Sequence, residues 1–106
     1  KMEVKVTVNG SITLLEIMKD GKAVNPQNPV SHEELAEMLN DLDISGGELV
    51  FLSGMPAWAI SALALRVKNL FSAVAQYDPR IGGTGGCLVI HSTNPKYKVG
   101  QILPLA

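Results

Sequence analysis

One short apolar run limits what this chain can fold into. Residues 48–53 read Glu-Leu-Val-Phe-Leu-Ser and end at Gly54-Met55-Pro56, where the chain must turn. Such a run, apolar at nearly every position, is typical of a strand buried on both faces of a sheet. A helical pattern follows from about residue 57 to 72, and a strand pattern covers 73–77. The order strand, helix, strand predicts a right-handed crossover and therefore an α/β domain.

Two further patterns precede this unit. Strand-like runs at 2–8 and 12–18 flank Asn9-Gly10, a pair that favours a tight hairpin turn. After a predicted surface loop at 19–29, Ser31 and Glu34 have the spacing of a capping box and predict the start of a helix. The predicted buried stripe of that helix is Leu35, Met38, Leu39 and Leu42.

The chain ends in a section that predicts two more strands, at 86–91 and 98–103. With 106 residues the chain has the size of one domain, which we take as residues 1–106. We therefore expect a single Rossmann-like α/β domain, whose mixed sheet carries an N-terminal hairpin and two helices. A ferredoxin-like α+β arrangement is the alternative.

Composition narrows the class of protein. The single cysteine, Cys87, excludes an internal disulfide and a cysteine-only zinc site, and a cytoplasmic protein is the simpler expectation. No run approaches the roughly eighteen apolar residues of a membrane span, so no membrane partner is expected. Lys1 before Met2 looks like the remainder of an expression tag, with Met2 as the natural start.

Charge is distributed unevenly along the chain. Residues 1–50 carry nine acids against four bases, whereas residues 51–106 carry one acid against five bases. A basic half that also contains a glycine-rich stretch favours an anionic ligand, with phosphate as the first candidate. In the alternative, the two halves interleave in space and their charges cancel.

The titratable groups of the basic half concentrate between residues 77 and 92. Asp78-Pro79-Arg80 leads into the glycine-rich residues 82–86, and His91 ends the apolar run that follows. Consecutive glycines let backbone amides turn toward an anion. The loop precedes a strand and not a helix, however, which excludes Walker-type and dinucleotide-binding loops. In the plainer alternative, Asp78-Pro79-Arg80 is only a turn in which the arginine pairs with the aspartate.

Several motifs in the second half of the chain resemble those of a known family. They are Gly54-Met55-Pro56-x-Trp58, Val74-Ala75-x-Tyr77-Asp78-Pro79-Arg80-x-Gly82, Val89-Ile90-His91-Ser92 and Val99-Gly100. They look like ring nuclease family three, the smallest CRISPR-associated ring nucleases of type III systems. This resemblance implies a role in antiviral defence, a Rossmann-like sheet, a homodimer or higher oligomer, and cleavage of cyclic tetra-adenylate with manganese as the metal.

The resemblance also implies roles for individual residues. Asp78, Arg80 and His91 would be the catalytic residues, and Asp78 and His91 the ligands of a Mn²⁺ ion. The anionic ligand, a cyclic oligoadenylate or a short RNA, would contact Arg80, Gly82 and Gly83 in the loop and Arg66 and Lys68 on the helix. The family has a histidine where this chain has Leu65. A catalytically silent nucleotide binder is therefore one alternative to a nuclease, and a dimeric interaction module is another.

The chemistry of a ring nuclease would need few groups. The substrate carries its own nucleophile, a 2′-hydroxyl, so the protein has only to align it and stabilise developing charge. Arg80 suits that charge, and the His91 imidazole suits general acid–base work. Trp58 and Tyr97 could stack on adenine, although a core position is expected for Trp58. Cys87 and His91 are expected on one strand face about 13 Å apart, too far for a thiol nucleophile and its base.

Overall fold

The computed structural model describes residues 1–105 and contains a mixed sheet with two helices. The elements in chain order are β1 (Met2–Asn9), β2 (Ile12–Lys19), β3 (Lys22–Ala23), α1 (Leu35–Asp41), β4 (Gly47–Ser53), α2 (Ala57–Val67), β5 (Phe71–Asp78), β6 (Gly86–Ser92) and β7 (Ile102–Leu103). The α/β class, the N-terminal hairpin and the two helices are as the sequence predicts. They are also consistent with the ferredoxin-like alternative.

The sheet has seven strands in the order β1-β2-β4-β5-β6-β7, with the short β3 also paired to β2. The three central strands, β2, β4 and β5, are parallel, and the outer strands are antiparallel to their neighbours. The helix α1 connects β2 to β4, and α2 connects β4 to β5. Because both connections step in the same direction across the sheet, both helices pack on one face.

The two faces of the sheet bury different cores. On the helix face, large side chains of the three parallel strands pack against both helices. This core includes Leu15, Ile17, Val50, Leu52, Val74, Met38, Ile60, Leu63 and Val67. The opposite face has a smaller core around Phe51, Cys87 and Val89, and it is covered by the C-terminal segment through Tyr97 and Leu103.

The hairpin turn and the capping box predicted in the N-terminal part of the chain both form. The hairpin turn is centred on Gly10 and Ser11, one position later than the predicted Asn9-Gly10, with φ of 63° at Gly10. Positive φ at the first central position only is the type II′ pattern, which requires glycine there. At Ser31 the capping box forms in full, and a short 3₁₀ turn at His32–Glu34 leads into α1.

The sequence prediction places three element boundaries wrongly. The helix α2 ends at Val67 and not near residue 72, and β5 begins at Phe71. Phe71 is buried at the start of the strand, and the Gly47 amide donates to the Leu70 carbonyl at 3.0 Å. Leu70 and Phe71 therefore join the sheet and do not extend the helix. The predicted strand 98–103 shortens to β7, because Gly100 takes φ of 95°.

The two charged halves of the sequence supply opposite sides of the sheet and meet in one ion pair, in which Lys96 Nζ lies 3.4 Å from Glu48 Oε1. Residues 1–50 supply β1, β2 and α1 at one side of the sheet, whereas residues 51–106 supply β5, β6 and β7 at the other. Interleaving of the halves, the alternative drawn from the sequence, does not occur in the sheet. Neither α1 nor α2, the helices of residues 1–105, has the length and apolar character to cross a membrane.

Candidate functional site

An ion pair between Asp78 and Arg80, which we call the clamp, lies at the carboxyl edge of the central strands. β5 ends at Asp78, and the Arg80 side chain returns to that carboxylate with Nε 3.0 Å from Oδ1 and Nη2 2.9 Å from Oδ2. The Arg80 side chain is 88% exposed, whereas that of Asp78 is 29% exposed. The pair therefore presents a positioned guanidinium to solvent.

Local sequence builds this clamp. The Arg80 backbone N–H donates to Asp78 Oδ1 at 2.9 Å, closing an aspartate turn over Pro79, whose φ is fixed by its ring. These hydrogen bonds from the Arg80 side chain and backbone hold the pKa of the Asp78 carboxyl below its ordinary value. The carboxylate therefore stays ionised at neutral pH and accepts hydrogen bonds, which suits a positioning role better than that of a proton donor.

The glycine loop lies directly after the clamp. A short 3₁₀ turn spans Ile81–Gly83, and φ is 63° at Gly82 and 77° at Gly83. A Cβ at either glycine would meet no heavy atom within 4 Å, so the approach to this stretch of backbone is open. The Gly85 amide donates to the Ile81 carbonyl at 2.8 Å and closes the turn. The geometry brings Arg80, Gly82 and Gly83 to one exposed corner.

A cleft adjoins this corner and was not identified from the sequence. It has a volume of about 320 Å³ and is lined by Val24, Ser53, Gly54, Met55, Tyr77 and Pro79. All but Val24, which follows β3, lie at or just beyond the carboxyl ends of the parallel strands β4 and β5. A signal was available, because Gly54-Met55 ends a buried strand, and ends of parallel strands share one edge of a sheet.

The predicted helix cations lie at the opposite edge. The helix α2 begins after the carboxyl end of β4 and runs back, so that Arg66 in its last turn and Lys68 at its end precede the start of β5. Both side chains are exposed. One subunit therefore does not bring Arg66 or Lys68 to the Asp78–Arg80 corner.

His91 is also separated from that corner. β6 runs antiparallel to β5, with Gly86 opposite Asp78 and His91 opposite Val74. Four residue steps, or about 13 Å along the strand, therefore lie between the levels of His91 and Asp78. The sheet direction, which the sequence does not reveal, sets this distance.

A bulge corrects one prediction about His91. The register of β5 and β6 shifts between Val74 and Ala75, so Val89 pairs with Ala75 while His91 pairs with Val74. Cross-strand partners lie on one face of a sheet, and Val74 belongs to the helix-side core. His91 therefore lies on the face opposite to Cys87 and Val89, and not on the same face as predicted.

The predicted metal ligands Asp78 and His91 do not come together within one copy of the chain. Both Asp78 oxygens already accept hydrogen bonds from Arg80, and His91 lies too far along the sheet to share an ion with Asp78. Within residues 1–105, no group of three His, Cys, Asp or Glu side chains is placed to bind a metal. Binding of Mn²⁺ by Asp78 and His91 stays a prediction from the resemblance.

The three other candidates, Leu65, Trp58 and Tyr97, differ in exposure and in the groups that they contact. Leu65, where the resemblance implies a histidine, is 70% exposed on α2. Trp58 is 39% exposed and borders a small cleft with Pro26 and Pro29, so its predicted core position is wrong. The Tyr97 hydroxyl donates to Glu48 Oε2 at 3.1 Å, and the ring packs on the core of the helix-free face. Tyr97 thus anchors the C-terminal segment.

Comparison with known families gives the context of this site. Residues 23–104, which include the clamp, the loop and the cleft, match the family described as CRISPR-associated protein (Cas_csx3). The chain belongs to this CRISPR-associated family. Among curated proteins, no match was found. Residues 1–22, which include the hairpin β1–β2, and residues 105–106 of this family member lie outside the matched range.

Proposed function

We propose that this CRISPR-associated protein binds cyclic oligoadenylate at the carboxyl edge of its sheet. The observation that carries the proposal is the Asp78–Arg80 clamp, which fixes an exposed guanidinium beside an open glycine turn and a cleft. A guanidinium has five N–H donors, of which two bond Asp78. The other three remain for phosphate oxygens, and the cleft at Met55 and Tyr77 offers a mixed surface for a base.

The ring form of the ligand suits the separation of the predicted residues. Arg80 stands at one edge of the sheet, whereas Arg66, Lys68 and His91 lie toward the other. A ligand that contacts both groups must lie between two subunits, and a cyclic oligonucleotide presents phosphates around its rim to each. We therefore include a homodimer or higher oligomer in the proposal, with His91 supplied by a second subunit.

Cleavage would use the nucleophile of the ring itself. A 2′-oxygen attacks the adjacent phosphorus, the bond from phosphorus to the 5′-oxygen breaks, and a 2′,3′-cyclic phosphate end forms. The proton of the 2′-hydroxyl passes to a base, and the leaving 5′-oxygen gains a proton. Arg80 stabilises charge on the phosphoryl oxygens, and His91 is the residue suited to the proton transfers.

The proposal is tested by binding of cyclic tetra-adenylate to the Arg80→Ala variant. Removal of a charge-assisted contact to phosphate costs about 1.5–3 kcal/mol, so we expect affinity to fall about 10- to 100-fold. The control is Lys98→Ala, which removes an exposed cation of the same basic half away from this edge. Equal binding of the ring by the wild type, Arg80→Ala and Lys98→Ala, or binding by none of them, would reject the site.

A second candidate, the silent binder, rests on Leu65 in the position of the family histidine. Native mass spectrometry of the protein mixed with cyclic tetra-adenylate and manganese, followed over time, separates the nuclease from the silent binder. Linear products that disappear with His91→Ala indicate a nuclease. An intact ring that stays bound indicates a silent binder. A dimeric interaction module in which Asp78-Pro79-Arg80 is only a turn would bind no ring at all.

A further inference from the structure

Trp58 borders a second cleft at the carboxyl edge of the sheet. It is the single tryptophan of the chain, lies in the first turn of α2, and is 39% exposed. The cleft beside its ring, which we call the Trp58 cleft, has a volume of about 160 Å³ and walls that include Pro26, Pro29 and Pro56. Because each proline ring fixes the backbone φ, these walls keep their shape before a ligand arrives.

The Trp58 cleft adjoins the cleft beside the clamp. Met55 and Val24 line both clefts, and Met55 is 41% exposed whereas Val24 is buried. Pro79, which lines the cleft beside the clamp, directly precedes Arg80. A ligand whose phosphate contacts Arg80 can therefore extend over the flexible Met55 side chain into the Trp58 cleft.

The Trp58 cleft suits an uncharged, flat group. Among residues 1–105, none that lines this cleft carries a charge, so a phosphate or an ammonium group would find no charged partner inside it. A cavity of about 150 Å³ is large enough for a benzene ring, so the Trp58 cleft has room for an aromatic ring. A nucleobase has a π-face that stacks on an indole.

One polar side chain of the Trp58 cleft has a fixed orientation. Asn25 lines the cleft, and its Oδ1 accepts a hydrogen bond from the Gln27 N–H at 2.9 Å. This contact holds the side-chain amide so that Nδ2 is left as its donor end. The ring nitrogens of adenine are hydrogen-bond acceptors, so a donor in the wall of the cleft matches them.

We propose that the Trp58 cleft is a base subsite, in which one adenine of a cyclic oligoadenylate stacks on the Trp58 indole while Arg80 contacts a neighbouring phosphate. The inference rests on the proposed function for its ligand and adds a residue that determines specificity. A guanidinium contacts a phosphate whichever base is attached, so any selection of the base must come from groups that touch it. Trp58 and Asn25 are those groups.

The first test measures the fluorescence of Trp58 in the wild-type protein. Because the chain has one tryptophan, its emission reports on the Trp58 cleft. The probes are adenosine 5′-monophosphate and ribose 5-phosphate, which carry the same phosphate and differ in the base. We expect the mononucleotide, at up to about 10 mM, to quench the emission and to protect the indole from acrylamide, since a stacked base covers one face of the ring.

Ribose 5-phosphate should neither quench the emission nor protect the indole. An emission that the mononucleotide does not change, or that both probes change equally, would overturn the proposal. This test needs no variant, so it does not depend on the folding of a mutant protein.

The second test measures the affinity of three variants for cyclic tetra-adenylate. Trp58→Ala removes the stacking face, and we expect affinity to fall about 5- to 150-fold. Trp58→Phe keeps an aromatic ring and should recover most of that loss. Leu70→Ala is the matched control, because Leu70 is 38% exposed and lies directly before β5, at the opposite edge of the sheet. It should bind the ring as the wild type does.

The two tests separate the base subsite from the proposed function. If the wild type binds the ring through Arg80 and Trp58→Ala binds it equally tightly, the base subsite is overturned and the proposed function stands. Equal losses in Trp58→Ala and Leu70→Ala would also overturn the base subsite. If the wild type binds no ring, the proposed function fails, and the mononucleotide measurement still decides whether the Trp58 cleft takes a base.

Discussion

At the residue scale, the glycines of the loop after Arg80 differ in what they allow. Gly82 has φ of 63° and open space where a Cβ would be. Gly85 has φ of 92°, and a Cβ there would overlap the Tyr77 hydroxyl. Tyr77 lines the cleft beside the clamp, so Gly85 shapes the candidate site through this contact.

We expect Gly85→Ala to lower the free energy of unfolding by about 3 kcal/mol, from the combined cost of left-handed backbone and overpacking. Gly82→Ala is the control and should cost only the backbone term, about 1–2 kcal/mol. Urea denaturation measures both values. Equal losses in the two variants would show that Tyr77 moves aside without cost.

At the element scale, the start of α1 is tied to β1. Ser31 Oγ accepts from the Glu33 N–H at 3.2 Å, and Glu34 accepts from the Ser31 N–H at 3.3 Å and the Met2 N–H at 2.7 Å. The hydrogen bonds from the Met2 and Ser31 N–H groups hold the pKa of the Glu34 carboxyl below its ordinary value. One carboxylate thus joins the helix start to the edge strand.

Ser31→Ala removes the N-cap acceptor and should lower the free energy of unfolding by about 1 kcal/mol. Ser61→Ala is the matched control, because Ser61 lies exposed inside α2, where alanine is the better helix former. Its expected effect is neutral or slightly stabilising. Thermal unfolding of both variants gives the comparison, and a neutral Ser31→Ala would mean that the hydroxyl does not stabilise the helix start.

At the scale of the whole molecule, the helix-free face of the sheet depends on its C-terminal cover. Cys87 is fully buried there among Phe51, Val89 and the residues that the C-terminal segment brings. Burial raises the pKa of Cys87 to about 11. The thiol therefore remains protonated and unreactive in the folded protein at neutral pH.

We expect iodoacetamide at about pH 8 to leave Cys87 unmodified in the native protein and to modify it fully in denaturant, as measured by intact mass. The same pKa gives a pH dependence with a definite sign. Because the folded pKa lies above the thiol's ordinary value of 9.0, the protonated thiol contributes stability below about pH 9, which is lost toward pH 11. Rapid native labelling would show that the C-terminal cover opens readily.

Local chemistry explains which predictions match the structure. The capping box at Ser31, the buried strand at 48–53 and the Asp78-Pro79-Arg80 turn each depend on residues within a few positions of one another. The end of α2 was misplaced because Leu70 and Phe71 fit both the helical stripe and the following strand. Only the pairing of Phe71 with Gly47 across the sheet decides between them.

The sequence by itself determined the α/β class and membership of a CRISPR-associated family, and it offered the pairing of Arg80 with Asp78 as the plainer alternative for that motif. The tertiary structure alone decided which of the predicted site residues meet. It placed Arg80 beside a cleft, and it moved His91 to another level and another face through the antiparallel direction of β6 and its bulge. Strand alternation is a local property, but the partner, direction and register of a strand depend on residues far away in the chain.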